Sequence, residues 1–454
     1  MAIVKTDSAH YSNIAAKIRE KTGEATTYKP SQMADGIEAV YEAGKGAGGA
    51  VIEKDVNFYD YDGTLLHSYT LDEVQSLTEL PPLPTQEGLI CQEWNWTLAE
   101  LKALGRPMTV GATYITDDGA TRLVLEFIEP TTIPLTFQQN TSNGITIDWG
   151  DGSATETVSG TGTVSKSHTY SAGSYTLSLT PIGNCTIALG GGGSAVFGSA
   201  SDQNVRSLGA LKKVFFGKGV SNIAQNSLRY CVALEEITLP KTVEYNEGDC
   251  MNGCYNLRHI TYPRKIRSIA NSALMGCAAL RTISLSSTIT GFGNYVFNGA
   301  AAISRLDIPS AVASVKIDAF RGCTAIESFN CNSSGIALSS TSAFRDCKAL
   351  KSIKVSEGQT QIPGATFYAC LALVEIDIPS TITNIEQNAF AYCYAIRKYN
   401  FTKATAIPTL GNTNAFTGIQ ADCIIVVPDN LLTAWKAATN WSTYASYIKG
   451  ASEV

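Results

Sequence analysis

Residues 370–396 read Cys370-Leu-Ala-Leu373-Val-Glu-Ile376-Asp-Ile378-Pro379-Ser-Thr-Ile-Thr-Asn-Ile385-Glu-Gln-Asn-Ala389-Phe390-Ala-Tyr-Cys393-Tyr-Ala-Ile396. The end of this stretch begins its own beginning again. Cys231, Cys254, Cys277, Cys323, Cys347, Cys370 and Cys393 lie on one ladder with a period of about 23 residues, and Ala300 fills the rung between Cys277 and Cys323. Three residues after each rung stands Leu or Ile (Leu234, Leu257, Leu280, Ile303, Ile326, Leu350, Leu373, Ile396). Three further on is another apolar residue, from Ile237 and Ile260 to Ile376 and Tyr399. Pro often closes the unit, as at Pro240, Pro263, Pro309 and Pro379, and Ala-Phe precedes several rungs, as at Ala319-Phe320, Ala343-Phe344 and Ala389-Phe390. Self-similarity at this period means a solenoid.

Alternation such as Ile376-Asp377-Ile378 suits a short strand with one buried face. The Ala-Phe segment suits a short helical turn on the other side of the coil. No single turn can bury its own apolar face, so stacked neighbours must share one core. The ladder also bears on the cysteines, 12 in the chain. Rungs that all point inward cannot pair completely, and evenly spread single cysteines do not converge on a metal. They read as a column of small, buried, reduced side chains.

The repeat resembles the BspA-like, or treponemal-type, leucine-rich-repeat family over roughly residues 205–428. The resemblance implies a right-handed α/β solenoid with a parallel sheet along one face, used in adhesion and recognition. Residues 424–454, with Trp435 and Trp441, look like the terminal cap that an open solenoid end needs.

The chain has 454 residues and a net charge of −6, with 44% hydrophobic and 16% charged residues. That is ordinary for a soluble multi-domain protein and offers no electrostatic reason to expect nucleic acid. The N-terminus does not read as a secretory signal, and no stretch reaches the roughly 18–20 apolar residues of a membrane span. Residues 1–43 read as a helical hairpin, with stripes at Tyr11, Ile14, Ile18 and at Met33, Ile37, Val40, Tyr41. A hairpin this small needs a partner. Its pattern, Asn13-Ile14-Ala15-Ala16-Lys17-Ile18 through Lys29-Pro30-Ser31-Gln32-Met33, resembles N-terminal segments of tail and baseplate-associated proteins from phages of Gram-positive bacteria. Residues 44–50 read as a Gly-rich linker.

Residues 51–130 read as a small β-rich module with turns at Asp62-Gly63 and Asp118-Gly119. Its runs Asn57-Phe58-Tyr59-Asp60-Tyr61-Asp62-Gly63-Thr64 and Glu93-Trp94-Asn95-Trp96-Thr97-Leu98 also resemble those phage proteins. Asp60-Tyr61-Asp62-Gly63-Thr64 matches the nucleophile motif of haloacid-dehalogenase-like phosphatases as well. That chemistry needs a doubly wound α/β domain and a metal site, and Leu80-Pro81-Pro82-Leu83-Pro84 follows instead, so an Asp-Gly hairpin is expected. Residues 131–183 read as an immunoglobulin-like β-sandwich. Trp149-Gly150-Asp151-Gly152-Ser153 and His168-Thr169-Tyr170 through Tyr175 resemble a PKD-type domain, with Trp149 and Tyr175 expected in its core. Asp148 and Asp151 do not make a calcium cage by themselves. Residues 184–204, with Gly190 to Gly193, read as a second linker leading into the solenoid at 205–423.

No catalytic triad, metal cluster or cofactor loop emerges, and the four histidines lie in four segments. The reading is of a non-enzymatic binding protein without cofactor or metal. Residues flanking the second apolar position of each strand should point outward: Glu236/Thr238, His259/Thr261, Thr282/Ser284, Arg305/Asp307, Ser328/Asn330, Ser352/Lys354, Glu375/Asp377 and Lys398/Asn400. These are the candidate ligand-binding face, for a host-surface protein or glycan. The expected setting is a phage or prophage virion. There the N-terminal segment would contact other tail or baseplate proteins, in a possible homo-oligomer, while the solenoid contacts the host. A bacterial cell-surface adhesin is the alternative, and a phosphatase the remote one.

Overall fold

The computed structural model describes residues 53–141, 143–191, 193–199, 205–331 and 334–454. The helical hairpin expected at 1–43 and the linker expected at 44–50 lie outside them. Residues 55–454 form one compact unit. Among the described residues no helix is long and apolar enough to cross a membrane.

The C-terminal part is a β-solenoid. Three-residue strands on one side stack in parallel, as His259–Thr261 on Thr282–Ser284 and Arg305–Asp307 on Ser328–Asn330, with the second apolar residue of each unit buried between them. A second parallel ladder of two-residue strands runs behind it, as in Ser268–Ile269 on Gly291–Phe292 and Gln361–Ile362 on Asn384–Ile385. Ile269, Phe292, Val315, Leu338, Ile362 and Ile385 of that ladder are buried.

The helical turn expected at Ala-Phe is absent. In a helix each N–H bonds within its own coil. Here alternate N–H groups reach across to the next turn. Asp318, Phe320 and Gly322 donate to the carbonyls of Thr341 (3.2 Å), Ala343 (2.9 Å) and Arg345 (2.8 Å), while Arg321 and Cys323 fold back onto Asp318 and Phe320. The reason is a pair of left-handed residues per turn, five and one before each rung. Their φ values are 48° and 74° at Asp318 and Gly322, 58° and 61° at Ser342 and Asp346, and 53° and 57° at Ala365 and Ala369. Asn, Asp and Gly tolerate this region and recur at these positions, as in Asn226, Asp249, Gly253, Gly276, Gly299 and Asn388. The side is therefore a further hydrogen-bonded ladder, and the coil is a β-solenoid rather than the α/β solenoid expected.

The core of this side is a column of stacked rings. Phe297, Phe320, Phe344, Phe367, Phe390 and Phe416 follow one another at centroid distances of 5.3, 5.3, 6.0, 5.5 and 5.5 Å, nearly parallel. Beside them runs the cysteine column, buried and unbonded to other sulfurs. From Cys254 onward each thiol donates to a carbonyl of the preceding turn, as Cys347 to Phe320 (3.1 Å), Cys370 to Phe344 (3.2 Å) and Cys393 to Phe367 (3.0 Å). Burial pushes these thiols well above their ordinary pKa, so they stay protonated and able to donate.

The solenoid does not begin at a free end. Strands β5 (Thr121–Phe127), β6 (Thr131–Gln139), β7 (Ile145–Asp148), β8 (Glu156–Val158), β9 (Gly162–Tyr170), β10 (Gly173–Pro181) and β11 (Ile187–Leu189) form two facing sheets. The first runs β8-β7-β10-β5 and continues through Leu211–Phe215 into Glu236–Thr238 of the solenoid. The second is β11-β6-β9. Thr121–Phe127, grouped by sequence with the preceding module, thus belongs to the sandwich and joins it to the coil. One apolar core runs from Leu123 and Trp149 to Trp441. Trp149 is buried and Tyr175 partly so. The glycine run is no loose linker at its start. Gly190 N–H donates to Thr136 O, and a Cβ on Gly191 would lie 2.4 Å from the Gln138 side chain.

Residues 55–116 form a separate small layer. Strands β1 (Val56–Tyr59), β2 (Leu65–Tyr69), β3 (Leu89–Trp94) and β4 (Met108–Thr116) assemble in the order β2-β1-β4-β3, with β1 and β4 parallel. Helices α1 (Leu71–Ser76) and α2 (Leu98–Leu104) each open on a capping box, Thr70/Glu73 and Thr97/Glu100. At the far end, strands Ile424–Val427 and Ile448–Gly450 extend the parallel sheet, and buried Trp435 and Trp441 close the last turn, the Trp441 indole donating to Pro408 O.

Two stability predictions follow from the coil. Ala369→Gly removes a Cβ from a left-handed residue and should raise stability by about 1 kcal/mol in denaturant unfolding. Phe344→Ala empties one ring position in the column and should cost about 3–5 kcal/mol in the same measurement.

Candidate functional site

The sheet face that sequence marks as outward is only partly open. The small β-layer lies on it. Thr238, His259, Thr261, Ser284 and Asp307 are buried, and Glu236, Thr282 and Arg305 are half-buried. As a solvated surface these positions need correcting, because β1, β4 and the start of α2 cover them. Ser328, Asn330, Lys398 and Asn400 are half-buried, Ser352 and Lys354 are exposed, and Glu375 and Asp377 occupy the strand between.

The cover is built from complementary polar groups. Asn95 Nδ2 donates to Tyr262 O (3.1 Å) and Ser284 O (3.0 Å), and the Trp96 indole donates to Leu285 O (2.7 Å). These carbonyls belong to the solenoid and find donors in the layer. Glu100 works twice. It closes the Thr97 capping box and pairs with Arg264 (2.5 Å), with Ser287 Oγ adding a bond of 2.8 Å. Burial pushes its carboxyl upward, but Arg264, Thr97 and Ser287 outweigh this and hold it at about 2. Asp307 accepts from Thr109 Oγ1 (2.7 Å), Asn330 Nδ2 (2.6 Å) and Arg305 Nε (3.0 Å), and Arg305 reaches Asp55 O (2.6 Å). Arg106 donates to the carbonyls of Ile308 and Asn330.

The contact is close because β4 carries glycine at its centre. A Cβ on Gly111 would lie 2.1 Å from Thr261 Oγ1 and 2.7 Å from Ser284 Cβ. Gly63, in the left-handed turn between β1 and β2, sits against His259, whose Cβ is 3.1 Å from the position a glycine Cβ would take. His259 is enclosed by Thr282 Oγ1 (2.6 Å), Thr261 Oγ1 (3.0 Å) and the Tyr59 ring (5.9 Å between centroids).

The motif Asp60-Tyr61-Asp62-Gly63-Thr64 is the tight turn itself. Gly63 N–H donates to Asp60 O, and Thr64 N–H to Asp62 Oδ1. The buried Asp60 carboxylate accepts from Tyr114 Oη, Tyr61 N (2.8 Å) and Gln86 Nε2 (2.6 Å). It is committed to structure. Asp151 is similarly engaged, by Ser153 and by His168 Nε2 (2.7 Å), and the His168 ring stacks on Trp149. Among the described residues no group of three or more His, Cys, Asp or Glu side chains is placed to hold a metal ion.

Beyond the cover the sheet changes. Between Ser328–Asn330 and Glu375–Asp377 one turn has no strand of its own on this face, and Ser352–Lys354 pairs with neither neighbour. A cleft of about 430 Å³ opens there, floored by Ile353, Val355, Ile378 and Pro379 and rimmed by Ser352, Lys354, Glu357 and Lys403. Its rim carries both charges, Lys403 lying 4.0 Å from Glu357.

Residues 205–327 and 292–421 match the BspA type leucine rich repeat region, in 6 copies. The matched stretch is the solenoid described above. A comparison of the sequence with curated proteins found no match. Solved structures similar to the chain include a leucine rich cell surface protein from Faecalibacterium prausnitzii (20% identity, 46% of this chain and 76% of that one, TM-score 0.28). The leucine rich repeat protein of T. pallidum is 17% identical over 37% of this chain and 82% of its own, with a TM-score of 0.28. The pneumococcal vaccine antigen PcpA is 14% identical over 60% and 94%, with a TM-score of 0.25.

Gly111→Val should force the β-layer off the sheet, at a cost of about 2 kcal/mol from overpacking. Hydrogen exchange should then rise at residues 259–262 and 282–287 while the Phe320–Phe390 column keeps its protection. Unchanged exchange at the covered strands would show that the close approach of β4 is not needed for docking.

Proposed function

We propose that this chain is a non-enzymatic recognition protein whose solenoid contacts a protein or glycan on a cell surface. The observation that carries this is the exposed stretch of the sheet face at Ser352 and Lys354, beyond the covering layer. It lies beside the cleft at Ser352, Lys354 and Lys403, on a BspA-type repeat array. A solenoid presents ligands with repeated outward positions, and here the fold itself limits which positions are available. On this reading residues 1–43, which resemble phage tail and baseplate-associated segments, attach the protein to a virion, and the solenoid faces the host. The PKD-like sandwich then serves as the rigid base of the array. A second reading, favoured by the BspA-type repeats alone, has the same solenoid displayed on a bacterial surface.

The test is binding of purified protein to cells of the bacterium that carries the gene and to its neighbours. Lys354→Glu with Lys403→Glu should weaken binding roughly tenfold without lowering the unfolding temperature. Equal binding by the double variant would remove the cleft from the proposal. Immunogold labelling of induced phage particles and of intact cells separates the two readings: label on tails supports the virion, label on cell envelopes the adhesin.

A further inference from the structure

The β-layer and the solenoid keep separate cores. Phe58, Trp94, Val110 and Tyr114 pack in one cluster, and the solenoid and sandwich residues pack in another. What joins them is largely a seam of hydrogen bonds from Asn95, Trp96, Glu100, Arg106 and Thr109, with the Tyr61–Phe215 ring contact and the bond from Thr116 N–H to Phe216 O at its edge. A seam of this kind gains less from apolar burial than a shared core does, and its strength depends on the protonation of the groups within it. A histidine lies beneath the same layer. His259 is 1% exposed, and the covering groups are the Tyr59 ring and the Gly63 turn.

We propose that the β-layer is an acid-labile cover, which lifts from the sheet face as pH falls toward about 5 and uncovers the strands at 259–284.

The charges around His259 support this. From the layer, Asp62 faces it and favours its protonation. In the same column on the preceding turn stands Glu236, already paired with Lys213 (2.9 Å). Tyr59, Thr261 and Thr282 are neutral at these pH values, and Arg258 and Arg281 lie exposed at the sheet edge. Burial dominates and brings the ring's pKa down from 6.5 to about 4, with Asp62 opposing. A ring freed by undocking regains the ordinary value. The uncovered state therefore binds the proton more readily. The contribution of His259 to docking is complete above pH 6.5 and is lost as pH falls from 6.5 toward 4. At pH 5 this amounts to a weakening of docking by about 30-fold. Glu100 acts lower. Its carboxyl is held at about 2 against an ordinary 4.5, so the Glu100–Arg264 contribution is present above 4.5 and is lost only as pH falls below it.

The experiment is hydrogen exchange on the full chain at pH 7 and pH 5, corrected for the intrinsic rate. Segments 93–98, 259–262 and 282–287 should exchange about 30-fold faster at pH 5, with the Phe320–Phe390 column unchanged. Equal corrected protection at both pH values overturns the proposal. His259→Gln, which does not titrate, should flatten the response between pH 6.5 and 4.5, and an undiminished response overturns the role of His259. Should that variant fail to dock at pH 7, the steepness of the wild-type response provides the second arm. Corrected exchange at 259–262 and 282–287 should climb with the slope of one proton as pH falls from 6.5 toward 4, approaching about tenfold per pH unit; a rise confined to pH below 4.5, the range of Glu100, counts against His259. No ligand enters the readout, so the result stands apart from the recognition reading.

Discussion

Every turn of this coil depends on its neighbour for backbone hydrogen bonds. A helix satisfies its own N–H groups, but these turns cannot, because two residues in each are left-handed and direct alternate amides across the stack. The consequence is that neither end can be left bare. At one end β5 of the sandwich pairs with the first solenoid strand, and at the other Ile448–Gly450 completes the sheet under Trp435 and Trp441. The sandwich is thus a structural terminus of the solenoid as much as a domain beside it.

The same dependence explains the cysteines. A small side chain is needed at the rung, and one that can donate to an inward-facing carbonyl is better than one that cannot. The thiol does both, and burial keeps it protonated. Ala300 shows that size is the stricter demand, since a methyl fills the same rung with no donor at all.

The sheet face carries a different constraint. Its strands are three residues long and its outward side chains are short and polar at turns 238–284, which lets β4 lie almost flat upon them. Where one turn lacks its strand near Ser352, that flatness ends and a cleft opens. The covered and open stretches of one face have therefore acquired different roles, one internal and one presented to solvent.

Much of this was legible in the chain as written. Eight rungs, the Leu or Ile three residues on and the Ala-Phe segments require stacked turns, because no single turn buries its own apolar residues. Thr97 with Glu100, three apart, is a helix-start signal that the β-rich reading of residues 51–130 passes over. The alternating left-handed residues were legible only as a recurrence of Asn, Asp and Gly, which a helical turn would tolerate as well. The cover was not legible at all. Outward positions on a strand are assigned by alternation, and alternation says which way a side chain points but not what will come to lie against it. Gly111, Asn95 and Trp96 meet Thr261, Tyr262 and Leu285 across more than 140 residues of chain. The period of the repeat was decided locally, by residues that touch their own kind in the next turn. The face left open was decided by tertiary structure, because it depends on the shape of a second layer and on polar partners that only folding brings together.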